Sequence, residues 1–147
     1  MGIMNFYKLI IASVFIFAVG TGCSDSDEPG NSLCDELTIV SQSEFDNAPN
    51  DFVTIVSTQL IGDCLTIEYA SSGCDGESWV VLLIDSGQVA ESFPVQKTLR
   101  LSLDNKEVCD ANIGQTKTFD LTPIQVNNEN QILINLNGFD SKILYEY

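Results

Sequence analysis

The segment Leu65-Thr66-Ile67-Glu68-Tyr69 alternates apolar and polar side chains. Alternation with a period of two sends successive side chains to opposite faces of an extended chain. The segment therefore reads as a strand with one face in a core and the other in water. Leu99-Arg100-Leu101-Ser102-Leu103 repeats the pattern, as does Ile132-Leu133-Ile134-Asn135-Leu136-Asn137 with an exception at Leu133. Further strands are expected at Leu37 to Ser41, Phe52 to Ile61, Trp79 to Asp85, Lys117 to Thr122 and Lys142 to Tyr147. Turn chemistry separates them at Gly62-Asp63, Ser86-Gly87, Asn105-Lys106, Asn127-Asn128 and Asn137-Gly138. No stretch shows a convincing amphipathic helical period. Short strands punctuated in this way predict an all-β fold, an antiparallel β-sandwich of immunoglobulin-like type, with a small closed β-barrel as the alternative.

Composition excludes several functions. The 147 residues carry 6 Lys plus Arg against 21 Asp plus Glu and no His. Without histidine, the usual general base, the Ser-His and Cys-His nucleophile pairs and His-containing zinc sites cannot be built. A net charge of -15 repels phosphate backbones, so nucleic acid is not an expected partner. There is also no Gly-x-Ser-x-Gly elbow and no Cys-x-x-Cys pair. Enzymatic activity is therefore not expected, and no cofactor is implied.

The N-terminal segment follows a different logic. After Asn5 and Lys8, the run from Leu9 to Val19 is almost wholly apolar and leads through Gly20, Thr21 and Gly22 to Cys23. That run is shorter than the roughly 18 to 20 residues that span a bilayer and matches the core of a secretory signal peptide. Ala18-Val19-Gly20 offers an ordinary cleavage site. Gly20-Thr21-Gly22-Cys23 resembles the lipobox of bacterial lipoproteins, although Gly20 stands where that motif most often has Leu. Cysteine parity favours the second. Export implies an oxidising compartment, and lipidation of Cys23 leaves Cys34, Cys64, Cys74 and Cys109 as an even set. Residues 1–22 are accordingly read as a lipoprotein signal peptide, 23–33 as an acidic tether and 34–147 as the β-sandwich domain. Cleavage before Cys23 removes Lys8 and no acid, and the remaining chain has a net charge of -16.

The tether Ser24-Asp25-Ser26-Asp27-Glu28, followed by Pro29-Gly30-Asn31-Ser32, has too little apolar surface to fold. An acidic cluster directly after the lipidated cysteine resembles the export signal of many Bacteroidota lipoproteins, which implies attachment to the outer membrane with exposure at the cell surface. The stretch Ser72-Gly73-Cys74-Asp75-Gly76 with Trp79, and the terminal Ile143-Leu144-Tyr145-Glu146-Tyr147, are similar to small surface lipoproteins of flavobacterial type. That resemblance implies the compartment and no activity or site residues.

Tracing the strands up and down constrains the cysteines. Cys64 and Cys74 lie at opposite ends of the strand beginning at 64, on the order of 20 Å apart, beyond disulfide reach unless the following loop folds back. Pro94 interrupts any ladder, so Phe93-Pro94 is either a turn or a bulge. Read as a bulge, it lets residues 88–103 form one long strand returning to the end that holds Cys74, and the loop Asp104 to Gln115 then brings Cys109 beside it. The pairing favoured is Cys74 with Cys109 and Cys34 with Cys64. Trp79 is expected as a core aromatic near a disulfide. The acids of Asp75-Gly76-Glu77 and Asp104-Asn105-Lys106-Glu107 have oxygen ligands suited to calcium but lack the spacing of a calcium loop, so solvated loop charge is the expectation. Two function classes follow: a non-enzymatic surface lipoprotein that binds a protein or glycan or serves as an accessory subunit, and a surface-displayed small hydrolase or hydrolase inhibitor.

Overall fold

The computed structural model describes residues 34–147. Residues 1–33, which hold the expected signal peptide, Cys23 and the expected tether, lie outside the described residues. In chain order the elements are β1 (Glu36–Leu37), β2 (Ile39–Val40), α1 (Gln42–Asn47), β3 (Thr54–Ile61), β4 (Cys64–Gly73), β5 (Val80–Asp85), β6 (Val95–Asp104), β7 (Ala111–Asp120), a 3-10 turn (Thr122–Ile124), β8 (Gln131–Leu136) and β9 (Ile143–Glu146). They form a β-sandwich with one sheet in the order β1-β7-β4-β3 and the other in the order β2-β5-β6-β8-β9. Neither sheet closes into a barrel.

The alternation in β4 translates directly into packing. Leu65, Ile67 and Tyr69 are buried, and they meet Leu83, Leu99, Leu101 and Leu103 of the facing sheet, with Phe119, Ile132, Ile134 and Tyr145, in one core. Each such side chain contributes roughly 1.5 to 3 kcal/mol by leaving water.

The sheets are mixed rather than purely antiparallel, because β1 runs parallel to β7, β2 to β5 and β6 to β8. The first strand segment switches sheets at Thr38, whose N–H donates to Asp120 O at 3.0 Å. Residues 37 to 41 therefore serve two sheets instead of making a single strand.

Two further expectations are corrected. Residues 88–103 are not one bulged strand: β6 starts at Val95, directly after the cis Phe93–Pro94 bond, and Ala90 pairs with Gln96 across a turn. Proline supplies no N–H to a ladder, so the strand begins behind it. The hairpin β5–β6 by itself returns the chain, with Val80 opposite Asp104. The second correction is α1, a six-residue helix where none was expected. Ser41 Oγ accepts the Glu44 N–H at 3.2 Å, and Pro49 follows one residue after the C-cap Ala48.

That helix explains an apparent contradiction in β6. Alternation sends Arg100 and Ser102 to the water face, yet they are only 9% and 1% exposed. Arg100 donates to the carbonyls of Phe45, Glu44, Ala48 and Pro49, and Ser102 Oγ donates to Pro49 O. A helix leaves its last carbonyls without intrahelical partners, and a guanidinium carries enough donors to satisfy several at once. The outer face of β6 is thus roofed by α1 and the segment after it.

Candidate functional site

β4 ends at Gly73, β5 starts at Val80, β6 ends at Asp104 and β7 starts at Ala111, so the loops 74–79 and 105–110 meet at one end of the sandwich. The disulfide Cys74–Cys109 joins them, while Cys34–Cys64 ties the start of the domain to the opposite end of β4. Both pairs are the ones that strand tracing favours, and the hairpin rather than a bulge at Pro94 brings Cys109 home.

Glu107 is the organising residue of this end. Its carboxylate accepts the backbone N–H groups of Cys74, Asp75 and Gly76, the last at 3.1 Å, and the Ser78 hydroxyl at 2.9 Å. Consecutive N–H groups converging on one carboxylate form an anion nest. Gly76 has φ +77°, which lets the loop curl around the acid. A side chain at Gly73 would strike both Glu107 and Trp79. Partial desolvation opposes the charge of Glu107, but the Cys74 N–H, the Ser78 hydroxyl and the Gly76 and Asp75 N–H groups outweigh it and hold the carboxyl at about 2.

For Glu107 this corrects the expectation of solvated loop charge, since it is a structural latch; Glu77 stays an exposed loop acid. Two neighbouring acids are also engaged: Asp75 Oδ1 accepts the Glu77 N–H at 2.9 Å, and Asp104 pairs with Lys106. Among the described residues no group of three or more His, Cys, Asp or Glu side chains could hold a metal. Trp79 packs against the core, its ring 6.3 Å from that of Tyr69, with the indole N–H buried and without a partner among the described residues.

A group with a lowered pKa stabilises the fold above its ordinary value of 4.5, and that contribution is lost as pH falls through about 2. Glu107→Gln should therefore melt lower than the unaltered protein at pH 7, with the gap closing between about pH 4.5 and pH 2. Thermal melts across that range check it, and a pH-independent gap would place the loss in packing instead.

Beside the latch runs an open groove of about 280 Å³ lined by Asp51 and Phe52, by Ser71 and Ser72 of β4, and by residues of the 105–110 loop, Glu107 included. Its walls are braced. Ser71 Oγ donates to Phe52 O at 2.6 Å, Asn105 N–H to Asp51 Oδ2 at 2.7 Å, and Asn105 Nδ2 to Ser72 O at 2.7 Å. Phe52 is 77% exposed and Val108 94% exposed on its lips. A second groove of about 320 Å³ lies between α1 and the turn before β6. Its amides are already engaged, with Gln88 Nε2 donating to Gln42 Oε1 at 2.8 Å and Gln96 Nε2 to Ser92 Oγ at 3.0 Å. The cysteines and Trp79 of the first site are legible in the sequence, and the roles of Glu107, Phe52 and Val108 are not. The Gly73, Gly76 and Ser78 pattern around Cys74 was the available sign of a tight loop.

No family model and no curated protein matches the sequence. Solved structures with a similar fold include a DUF1344 protein of unknown function from Bacteroides vulgatus, with a TM-score of 0.53 at 15% identity, covering 76% of this chain and 56% of that one. A NigD-like immunity protein from Bacteroides caccae aligns with a TM-score of 0.52 at 15% identity, covering 74% and 58%. At this identity the likeness concerns the fold alone. The chain spans less than three fifths of the length of either neighbour.

Proposed function

We propose that this chain is a lipid-anchored, extracytoplasmic domain without enzymatic activity, displayed at the outer membrane, that binds another protein through the groove at its Cys74–Cys109 end. The observation that carries the reading is the pair of exposed apolar lips, Phe52 and Val108, over a groove whose walls are fixed by a disulfide and by the Glu107 latch. Exposed large apolar side chains facing one braced groove fit a recognition surface better than a solvated one. Loops held on a rigid sandwich are a common place for binding residues. Two disulfides fit an oxidising compartment, in line with the signal peptide and Cys23. The absence of histidine from the chain supports a binding role over hydrolysis. The immunity designation of one fold neighbour is compatible with binding to a protein.

One experiment tests anchor and groove together. A photo-cross-linking residue is placed at Val108, or at Leu144 as a control, in otherwise unaltered and Cys23→Ala chains expressed in cells. The Val108 probe should give a discrete protein adduct in the membrane fraction and the Leu144 probe none, while Cys23→Ala should release the chain or leave it as precursor. Cys23→Ala processed and retained like the unaltered chain would overturn the anchor. Identical products from both probe positions would overturn the groove.

A further inference from the structure

We infer that the groove between Phe52 and Val108 receives an arginine side chain from a cationic, exposed segment of the partner protein; this rests on the proposed binding role of the same groove. The chemistry of the walls selects the occupant. Asp51 and Asp110 line the groove, and no Lys or Arg does. Asp110 is exposed, and its carboxylate makes no hydrogen bond or ion pair among the described residues, whereas Glu107 is committed to the N–H groups of residues 74–76 and the Ser78 hydroxyl. The nearby Lys106 pairs with Asp104 and also attracts Asp51, whose Oδ2 accepts the Asn105 N–H, so Asp110 is the groove carboxylate left for a partner. With Asp51, Glu107 and Asp110 in its lining and Lys106 beside it, the groove presents net negative charge beside apolar surface, in a chain of net charge -15 that draws cations toward it from a distance.

A volume of about 280 Å³ accommodates a side chain or two rather than a folded element. Arginine matches the two kinds of wall better than lysine. Its flat guanidinium stacks on an aromatic ring such as Phe52 and pairs with a carboxylate in a bidentate fork, while its methylene stem covers an aliphatic lip such as Val108. A metal ion is a poorer occupant because the groove acids belong to no group of three ligating side chains. Polyanionic partners are repelled.

The full chain is titrated with blocked Gly-Arg-Gly-Arg-Gly and with the same peptide carrying citrulline, which keeps the shape and removes the charge, while backbone amide shifts are followed. The arginine peptide should shift amides of residues 51–52, 71–72 and 105–110 saturably, and the citrulline peptide should bind at least ten-fold more weakly. Asp110→Asn and Phe52→Ser should each weaken the arginine peptide several-fold. Both side chains are exposed, so melting temperatures should stay unchanged. Equal binding of the two peptides at the groove would overturn the arginine chemistry while leaving the groove a binding site. Diffuse, non-saturating shifts over the acidic surface, or none, would overturn the inference as well. In those cases the Val108 cross-link reports separately whether the groove binds a protein.

Discussion

Lys97→Met is expected to destabilise the domain by about 3 to 5 kcal/mol, a large share of the ~5 to 15 kcal/mol that holds a typical domain together. Lys97 lies on the inner face of β6, in register with Ile134 of β8, and its Nζ sits 2.6 Å from Asp85 Oδ2 with the two side chains 6% and 0% exposed. Removing the ammonium strands a carboxylate in an apolar layer, and Asp85 Oδ1 already has no partner among the described residues. Desolvating two ions costs about as much as their attraction returns. The double change Lys97→Met with Asp85→Leu should therefore stay within about 1 kcal/mol of the unaltered protein. Urea denaturation of both variants checks this, and equal losses in the single and double variants would show that the pair does not act as a unit.

Loss of the Cys74–Cys109 bridge should be nearly as costly. The two residues are separated by 35 positions, and closing a loop of that length is worth roughly 3 to 4 kcal/mol in the chain-entropy model. Cys74→Ala with Cys109→Ala should lower the melting temperature by on the order of 15 °C for a domain of this size. The same change should loosen the groove, because Glu107 stands two residues from Cys109 and contacts the loop that Cys74 begins. Amide exchange at residues 74–78 and 105–110 should therefore accelerate more than the global loss of stability accounts for. Uniform acceleration across the domain would show that the latch holds without the bridge.

Much of this architecture is legible in local pattern. The alternation in 65–69, 99–103 and 132–137 marks strands and names the residues that form the core. The Gly62-Asp63 and Asn137-Gly138 turns are readable because glycine tolerates the positive φ, +57° and +83°, that those turns adopt. The helix is not legible in the periodicity because six residues are too few to display a 3.6-residue period. Its trace was the Ser41-Gln42-Ser43-Glu44 capping pattern. Pro94 was ambiguous because the missing N–H is equally compatible with a bulge and with a strand that has not yet begun.

Local sequence by itself determined the secondary-structure class, the inward-facing residues and the ends at which the cysteines fall, since each depends on neighbours a few positions away. Only the tertiary structure decided the parallel pairings of β1, β2 and β8, the burial of Arg100 under α1, and the capture of Glu107 by N–H groups 31 to 33 residues distant. Alternation states which way a side chain points and is silent about which strand lies alongside. An acid in a loop carries no mark of whether water or a distant backbone will receive its charge. Those outcomes follow from long-range contacts, which exist only once the chain has closed on itself.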